Sequence, residues 1–446
     1  MQQKKIAQAI SALLLGAAIV VPAQSAHAGE QELLQRLEKL SAEIDAIKAE
    51  LAAARKKADL AEQKQVEIAT TLANAQLTAP VNSKSDTQPL IAKNSAPTTV
   101  MSSYGEIVYS RPSKESNQAQ TDVARAVLGI THRFSDKTKM VGEFEWEHAI
   151  VSKDDSGEAE VEQLYVEHEI NNTLRAKAGL FLIPMGFMNT AHEPTAYYGV
   201  HRNFVETAII PTTWREAGFS LTGTYDNGLT WDAGISTGFD LSKWDAKEGE
   251  GAESPLRSIH QEGQLAKSKD LSMHAALNWR GVPGLLVGAS VFSGKAGHAT
   301  TDFVANDARV SLWDLHARYT PGAWDLSALY VRGTISNTEA LNLTFVGQPT
   351  PVPSSFLGWY TQAAYTLWKN DDYSLTPFVR YEQFNTAKTI SAVPQGLGWS
   401  PAETEKVWTL GASFKIGEGV VLKADWQKFK QDSNKDRLSL GVGYAF

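Results

Sequence analysis

The chain has 446 residues, 21 % of them charged and 43 % hydrophobic, with a formal net charge of −8. That mild acidity gives no basis for nucleic-acid binding, and a mean hydropathy of −0.26 excludes a bundle of spanning helices, though not a barrel whose lumen-facing and lipid-facing positions alternate. Cysteine is absent, which removes disulfides, thiol nucleophiles and thiolate metal sites.

Lys4 and Lys5 precede an apolar run from Ala9 to Val21, and Ala26-His27-Ala28 follows. This order reads as a secretory signal over residues 1–28, cleaved after an A-x-A site. From Leu33 the apolar residues step by four and three through Leu37, Leu40, Ile44, Ile47, Leu51, Ala54, Ala58, Ala61, Ile68, Leu72 and Ala75, with Gln65 the one break. The spacing predicts an α-helical coiled coil over 29–77, on the order of 70 Å long at about 1.5 Å per residue. A lone helix of this kind has no partner for its stripe, so the pattern implies self-association, with Ile44 and Ile47 leaning toward three strands. Residues 78–99 are rich in turn formers, have no period, and read as a flexible linker.

Residues 100–446 repeat one motif, a short segment in which every second residue is large and apolar. The last shows it most plainly: Leu438, Leu440, Val442, Tyr444 and Phe446 alternate with Arg437, Ser439, Gly441, Gly443 and Ala445. A period of two is a strand. Tight turns (135–137, 171–172, 226–228, 281–284, 320–322, 369–372, 417–419) alternate strictly with long connections (110–121, 152–158, 183–213, 240–268, 293–307, 335–354, 386–404, 430–436). The fold class predicted is therefore an all-β transmembrane barrel, sixteen-stranded, antiparallel and up-and-down, with short turns at the periplasmic end. One parity carries Leu128, Phe144, Leu164, Phe219, Trp231, Leu277, Trp313, Leu326, Trp359 and Leu410. The other carries the charged candidates for a pore lining: Arg125, Arg133, Glu143, Glu145, Glu147, Glu167, Glu169, Arg175, Lys177, Arg318, Arg380 and Glu382. Aromatic residues crowd the tight turns, as Tyr225, Trp231, Trp279, Tyr319, Trp324, Trp368 and Tyr373 do, where a girdle at the membrane boundary would lie.

The third long connection, 183–213, is too apolar to wave in water, with Phe187, Met188, Tyr197, Tyr198, Phe204, Ile209 and Ile210. Rooted at the rim of a wide barrel, it is expected to fold inward and narrow the lumen. Its polar residues His192, Glu193, His201, Arg202 and Glu206, with Arg215 and Glu216 at its root, are the candidates for a constriction. Arg215 and Glu216 read better as pins holding the loop to the wall. His192 and His201 lack the spacing of a metal site, and no nucleophile elbow, phosphate loop or zinc helix occurs. Neither a catalytic residue nor a cofactor is expected, and the chain does not read as an enzyme.

Gly179-Leu-Phe-Leu-Ile-Pro184-Met-Gly186, Arg215-Glu-Ala-Gly218-Phe-Ser-Leu-Thr-Gly223, Gly358-Trp-Tyr-Thr-Gln-Ala-Ala-Tyr365 and Leu375-Thr-Pro377-Phe-Val-Arg380-Tyr381-Glu382 resemble conserved blocks of the phosphate-selective porin O and P family. The aromatic carboxy-terminal Phe446 is likewise similar to the closing strand of bacterial outer-membrane barrels. The resemblance implies a trimeric diffusion channel in the outer membrane, surrounded by lipid, with the third outer loop as its constriction and anions such as phosphate as one class of solute. The lumen parity departs from an anion ladder, because acids and bases are about equal in number and Glu143, Glu145 and Glu147 stack beside Glu167 and Glu169. Such a mixed lining passes small polar or ionic solutes with little selection. The alternative is a structural envelope tether, with the barrel as anchor and the periplasmic coiled coil as a strut toward peptidoglycan.

Overall fold

A computed structural model describes residues 98–391 and 399–446. The expected signal segment, the coiled coil and the expected linker as far as residue 97 lie outside the described residues. The described chain is one closed antiparallel sheet of sixteen spanning strands, each paired with its neighbours in sequence. These are β1 (Thr98–Pro112), β2 (Gln120–Arg133), β3 (Thr138–Glu147), β4 (Glu158–Glu169), β5 (Leu174–Leu182), β6 (Arg215–Thr224), β7 (Leu229–Ser236) and β8 (Ser272–Trp279). The second half runs β9 (Leu285–Lys295), β10 (Arg309–Tyr319), β11 (Trp324–Ser336), β12 (Pro353–Tyr365, resumed at Trp368–Lys369), β13 (Tyr373–Ile390), β14 (Glu405–Ile416), β15 (Val420–Phe429) and β16 (Arg437–Ala445). Thr98 and Thr99, read from sequence as the end of the linker, belong to β1 and face Arg133 and His132 of β2.

Closure is made by β16 on β1, from Tyr104 opposite Ala445 to Pro112 opposite Arg437. Phe446 extends it, donating its N–H to Ser103 at 2.9 Å and accepting from the Ser103 N–H at 3.1 Å. A closed sheet leaves no strand edge unpaired, which is the condition for β structure in hydrocarbon. Tight and long connections alternate as the sequence pattern predicts. Gly228 shows the chemistry of the tight ones: its φ is +84°, and a Cβ there would lie 2.6 Å from the Arg280 carbonyl carbon.

Cross-strand partners share a face, so the register fixes what points where. Leu128 opposes Phe144, Ala126 opposes Trp146, and Leu315 opposes Tyr330. All point away from the lumen, and mid-strand leucines on this face keep about half their surface uncovered: 54 % for Leu315, 50 % for Leu410, 46 % for Leu440. An apolar band this continuous is a lipid-facing or protein-facing surface, since water-facing patches of such size are rare. The opposite face pairs Arg125 with Glu147, Glu167 with Lys177 and Glu169 with Arg175. Both faces follow the parity read from the sequence except at bulges, and the bulge in β4 is the one that bears most directly on the site. That bulge, where Glu143 faces Gln163 but Phe144 faces Val161, turns Glu162 inward beside Gln163.

The apolar core lies inside the barrel. Phe181, Met185, Ile209, Ile210 and Trp214 pack with Phe239, Leu241, Trp244, Leu256 and Ile259 of the connection 237–271, and with Phe292, Leu312, Val331 and Phe356 of the wall. The long connections therefore fold inward on the β9–β12 side rather than rising as free loops.

Candidate functional site: the loop across the lumen

The connection 183–214, termed L3 below, leaves β5 and returns at β6 with its two stems joined. Ile183 donates its N–H to the Trp214 carbonyl at 3.0 Å. The Asn189 carboxamide donates to the carbonyls of Ile183 (2.7 Å) and Trp214 (2.9 Å) and accepts from the Trp214 N–H at 2.7 Å. The Trp214 indole is clasped by Phe239 and Phe292, at 4.9 and 4.5 Å between ring centres.

Deeper in the loop, Glu206 is buried and accepts four hydrogen bonds. Oε1 takes the N–H groups of Phe187 (2.6 Å) and Met188 (2.8 Å), while Oε2 takes Asn203 Nδ2 and the Tyr360 hydroxyl, both at 2.9 Å. Gly186, with φ +64°, makes this possible, because a Cβ there would sit 2.4 Å from Glu206 Oε1. Four donors convert a buried anion into a cross-link between the start of L3, its helical turn Val205–Ile209 and β12.

From this frame L3 reaches most of the wall. At its tip His192 Nε2 lies 2.6 Å from Glu162 Oε1, the Tyr104 hydroxyl donates to Glu162 Oε2 at 2.8 Å, and Arg125 Nη2 donates to the His192 carbonyl at 2.5 Å. Tyr197 donates its hydroxyl to Glu106 at 2.7 Å, beneath the Lys423 ammonium, which sits 3.4 Å from its ring centre. The Val200 N–H donates to Asp425, Ser413 donates to the Tyr198 carbonyl, and the Phe204 N–H donates to Glu382, each at 2.7 Å. The Tyr198 hydroxyl donates to Asp325 at 2.8 Å, and the Gly186 N–H to Asp314 at 3.2 Å. L3 is thus a septum tied to β1, β2, β4 and β10 to β15.

Cavities lie on both sides of it. On the outer side are one of about 990 Å³, floored by Phe204, Phe384 and Phe429, and one of about 490 Å³ lined by Arg125, Glu147, His201, Arg202 and Arg437. On the inner side a cavity of about 370 Å³ is lined by Arg280, Arg318 and Lys415, with no carboxylate among its lining residues. It continues into a neck of about 50 Å³ bounded by Tyr198, Arg318, Asp325, Tyr360 and Arg380, room for one or two waters.

The residues expected at the constriction divide accordingly. His192 and Glu206 are buried anchors. Arg215 and Glu216 are root pins: Arg215 pairs with Glu160 and, at 3.2 Å, with Glu262, while Glu216 accepts from the Trp214 indole (3.0 Å) and Thr237 (2.5 Å). His201 and Arg202 line the outer cavity, and Glu193 is half-buried. Burial, with Arg437 nearby, lowers the His201 imidazole to about 3, so it carries no charge at neutral pH. Of the expected lining, Arg318 and Arg380 border the neck, and Glu382 lies behind Arg380, accepting from its Nε at 3.0 Å. Arg125 and Glu147 border the outer cavity. Glu143 is bonded to Gln163 (2.6 Å), Glu167 to Lys139 (3.1 Å) and Lys177 to Asp232 (3.5 Å), as a wet wall keeps its charges paired. Glu145 is buried, Arg175 faces Glu169, and Arg133 donates to the Asp136 carbonyl in the first tight turn at 3.3 Å. Sequence reasoning missed Glu162, Tyr197, Tyr198 and Asp325. The bulge hid Glu162, the tyrosines read only as apolar bulk, and Asp325 has the lumen parity that would have found it.

The tip clamp carries a pH prediction. Burial pushes the His192 imidazole down, but the Glu162 carboxylate outweighs it and leaves the pKa above that of a free histidine. Arg125, Glu143 and Glu193 complete the charged surroundings, with the neutral Tyr104 hydroxyl 2.7 Å from His192 Nε2. A His raised in the folded state contributes fully below about pH 6.5 and loses that contribution as pH climbs through the raised value. Proteolysis of L3 in the folded barrel should therefore speed up as pH rises above about 6.5, and His192→Asn should flatten that profile.

No protein-family model matches the chain. An uncharacterized protein of Aquifex aeolicus strain VF5 is 27 % identical over 354 residues, covering 77 % of this chain and 79 % of that one. Among solved structures, Salmonella typhi OmpF in complex with daunomycin superposes at a TM-score of 0.54 with 13 % identity, over 78 % of this chain and 97 % of that one. The fold is porin-like. The anion-selective porin from Comamonas acidovorans covers 79 % of this chain at 12 % identity and a TM-score of 0.49. At 13 % identity the property this chain shares with the OmpF structure is the barrel itself.

Proposed function

We propose that the protein is an outer-membrane porin, a passive channel for small polar or ionic solutes with L3 as its constriction. The observation that carries this reading is the pairing of an uncovered apolar belt outside with water-sized space on both sides of a polar septum inside. Anions, phosphate among them, are the better class of solute for the inner half, where Arg280, Arg318 and Lys415 line the cavity without a carboxylate. The outer half, with acids and bases together, adds little preference. A homotrimer fits the apolar belt and would let three copies of the amino-terminal heptad segment meet.

The neck and the many anchors of L3 favour a second reading, the envelope tether with a nearly closed barrel and a coiled-coil strut toward peptidoglycan. Planar-bilayer recording separates the two, since the porin gives ohmic steps and the tether none. In a salt gradient the expected reversal potential has the sign of anion preference, and a cation-selective result would overturn the role given to the inner cavity. Removal of residues 29–77 should leave conductance intact in a porin.

A further inference from the structure

Resting on the porin reading, we infer that the Tyr198 side chain is the bar that sets the width of the neck, with Asp325 as its catch. The two cavities on the inner side share Phe187, Met188, Tyr197, Tyr198 and Arg318, so the neck is the upward continuation of the 370 Å³ space. Across it the Tyr198 hydroxyl reaches from L3 to Asp325 on β11 at 2.8 Å.

This contact differs from every other tie of the loop in what its loss leaves behind. The main chain on either side is held independently, at the Tyr198 carbonyl by Ser413 and at the Val200 N–H by Asp425, both at 2.7 Å. Asp325 keeps two hydrogen bonds from Arg318, at 2.9 Å to Oδ1 and 2.5 Å to Oδ2, when the phenol leaves. No buried charge is stranded, because the Asp325 carboxylate stays paired with Arg318, and among the described residues the Tyr198 ring stacks on Phe378 at 5.9 Å. By contrast, withdrawing His192 from Glu162, or Glu206 from its four donors, leaves buried polar groups without partners. Tyr198 also lines the inner cavity, so the ring has space into which to turn. Rotation of one side chain about a fixed backbone thus opens the neck while L3 stays in place. Width is then decided by Tyr198, and the charge met there by Arg318 and Arg380.

The test is single-channel recording of the full chain in planar bilayers, with polyethylene glycols of graded size as exclusion probes. Tyr198→Ala should raise the conductance step about two-fold or more and admit larger polymers, because conductance follows the narrowest cross-section. Tyr198→Phe keeps the ring and its packing but not the catch, and should spend more time at the larger step; it decides the matter if the alanine variant does not fold. Steps and exclusion limit equal to wild type in both variants would overturn the inference while leaving the porin intact. A silent wild type with a conducting Tyr198→Ala would support it. Silence in all three folded, inserted proteins would remove the porin reading and this inference with it.

Discussion

Glu206→Ala is expected to release L3 from the lumen. The substitution leaves the Phe187 and Met188 N–H groups, Asn203 Nδ2 and the Tyr360 hydroxyl without their acceptor, beside a neck with room for only one or two waters. One stranded donor costs about 1–3 kcal/mol, and four in one network cost on the order of 3–5 kcal/mol, since such losses do not add fully. The barrel wall has its own ladder of hydrogen bonds and should survive. The loss should appear as rapid protease cleavage within 183–214 and as a larger, noisier conductance. Glu206→Gln should fall between, because its oxygen still serves the two N–H groups while its amide opposes Asn203 Nδ2. Retention of wild-type protection in the alanine variant would show that L3 is held by its wall contacts alone.

Leu440→Arg should disrupt insertion where a lumen change would not. Leu440 is near the middle of β16, opposite Tyr109 of β1 and Ala424 of β15, and faces outward. An arginine near the midplane on the lipid face of a barrel costs about 2–4 kcal/mol, falling toward zero at the interfaces. Lys177→Gln removes a charge from the lumen wall, where the ion pair with Asp232 spans 3.5 Å, and should cost about 1 kcal/mol because Ser220 and Thr222 still donate to the Asp232 carboxylate. Urea titrations of refolding into lipid vesicles give the comparison. Equal costs at the two positions would mean that neither face is in hydrocarbon.

The barrel was legible because strand periodicity, turn chemistry and the alternation of short and long connections are local properties. Asp226-Asn227-Gly228 specifies its turn without reference to anything distant, and the zigzag of β16 names its own outer face. The interior was harder. Which residues L3 meets depends on where a thirty-residue segment lies inside a cylinder, and nothing local encodes that Val200 will face Asp425 or Tyr198 face Asp325. Charged residues of L3 drew attention as pore groups, whereas the fold uses His192 and Glu206 as buried fasteners and leaves the neck to tyrosines and to Arg318 and Arg380. Periodicity itself misleads at the bulges: in β4 one inserted residue reverses the face of Glu158, Glu160 and Glu162, and in β2 the shift at Ala124 brings Asp122 to the same cavity as Arg125.

The absence of cysteine from the sequence makes one measurement direct. Single substitutions to cysteine at Val166, Ala176, Ala317 and Ala412 on the outer parity, and at Glu167, Lys177, Arg318 and Lys415 on the inner one, place a thiol on each face of the same strands. In protein folded into lipid vesicles, a water-soluble maleimide should label the second set and leave the first unlabelled. Equal labelling of both sets, or labelling of the outer parity alone, would contradict the assignment of acyl chains to one face and water to the other.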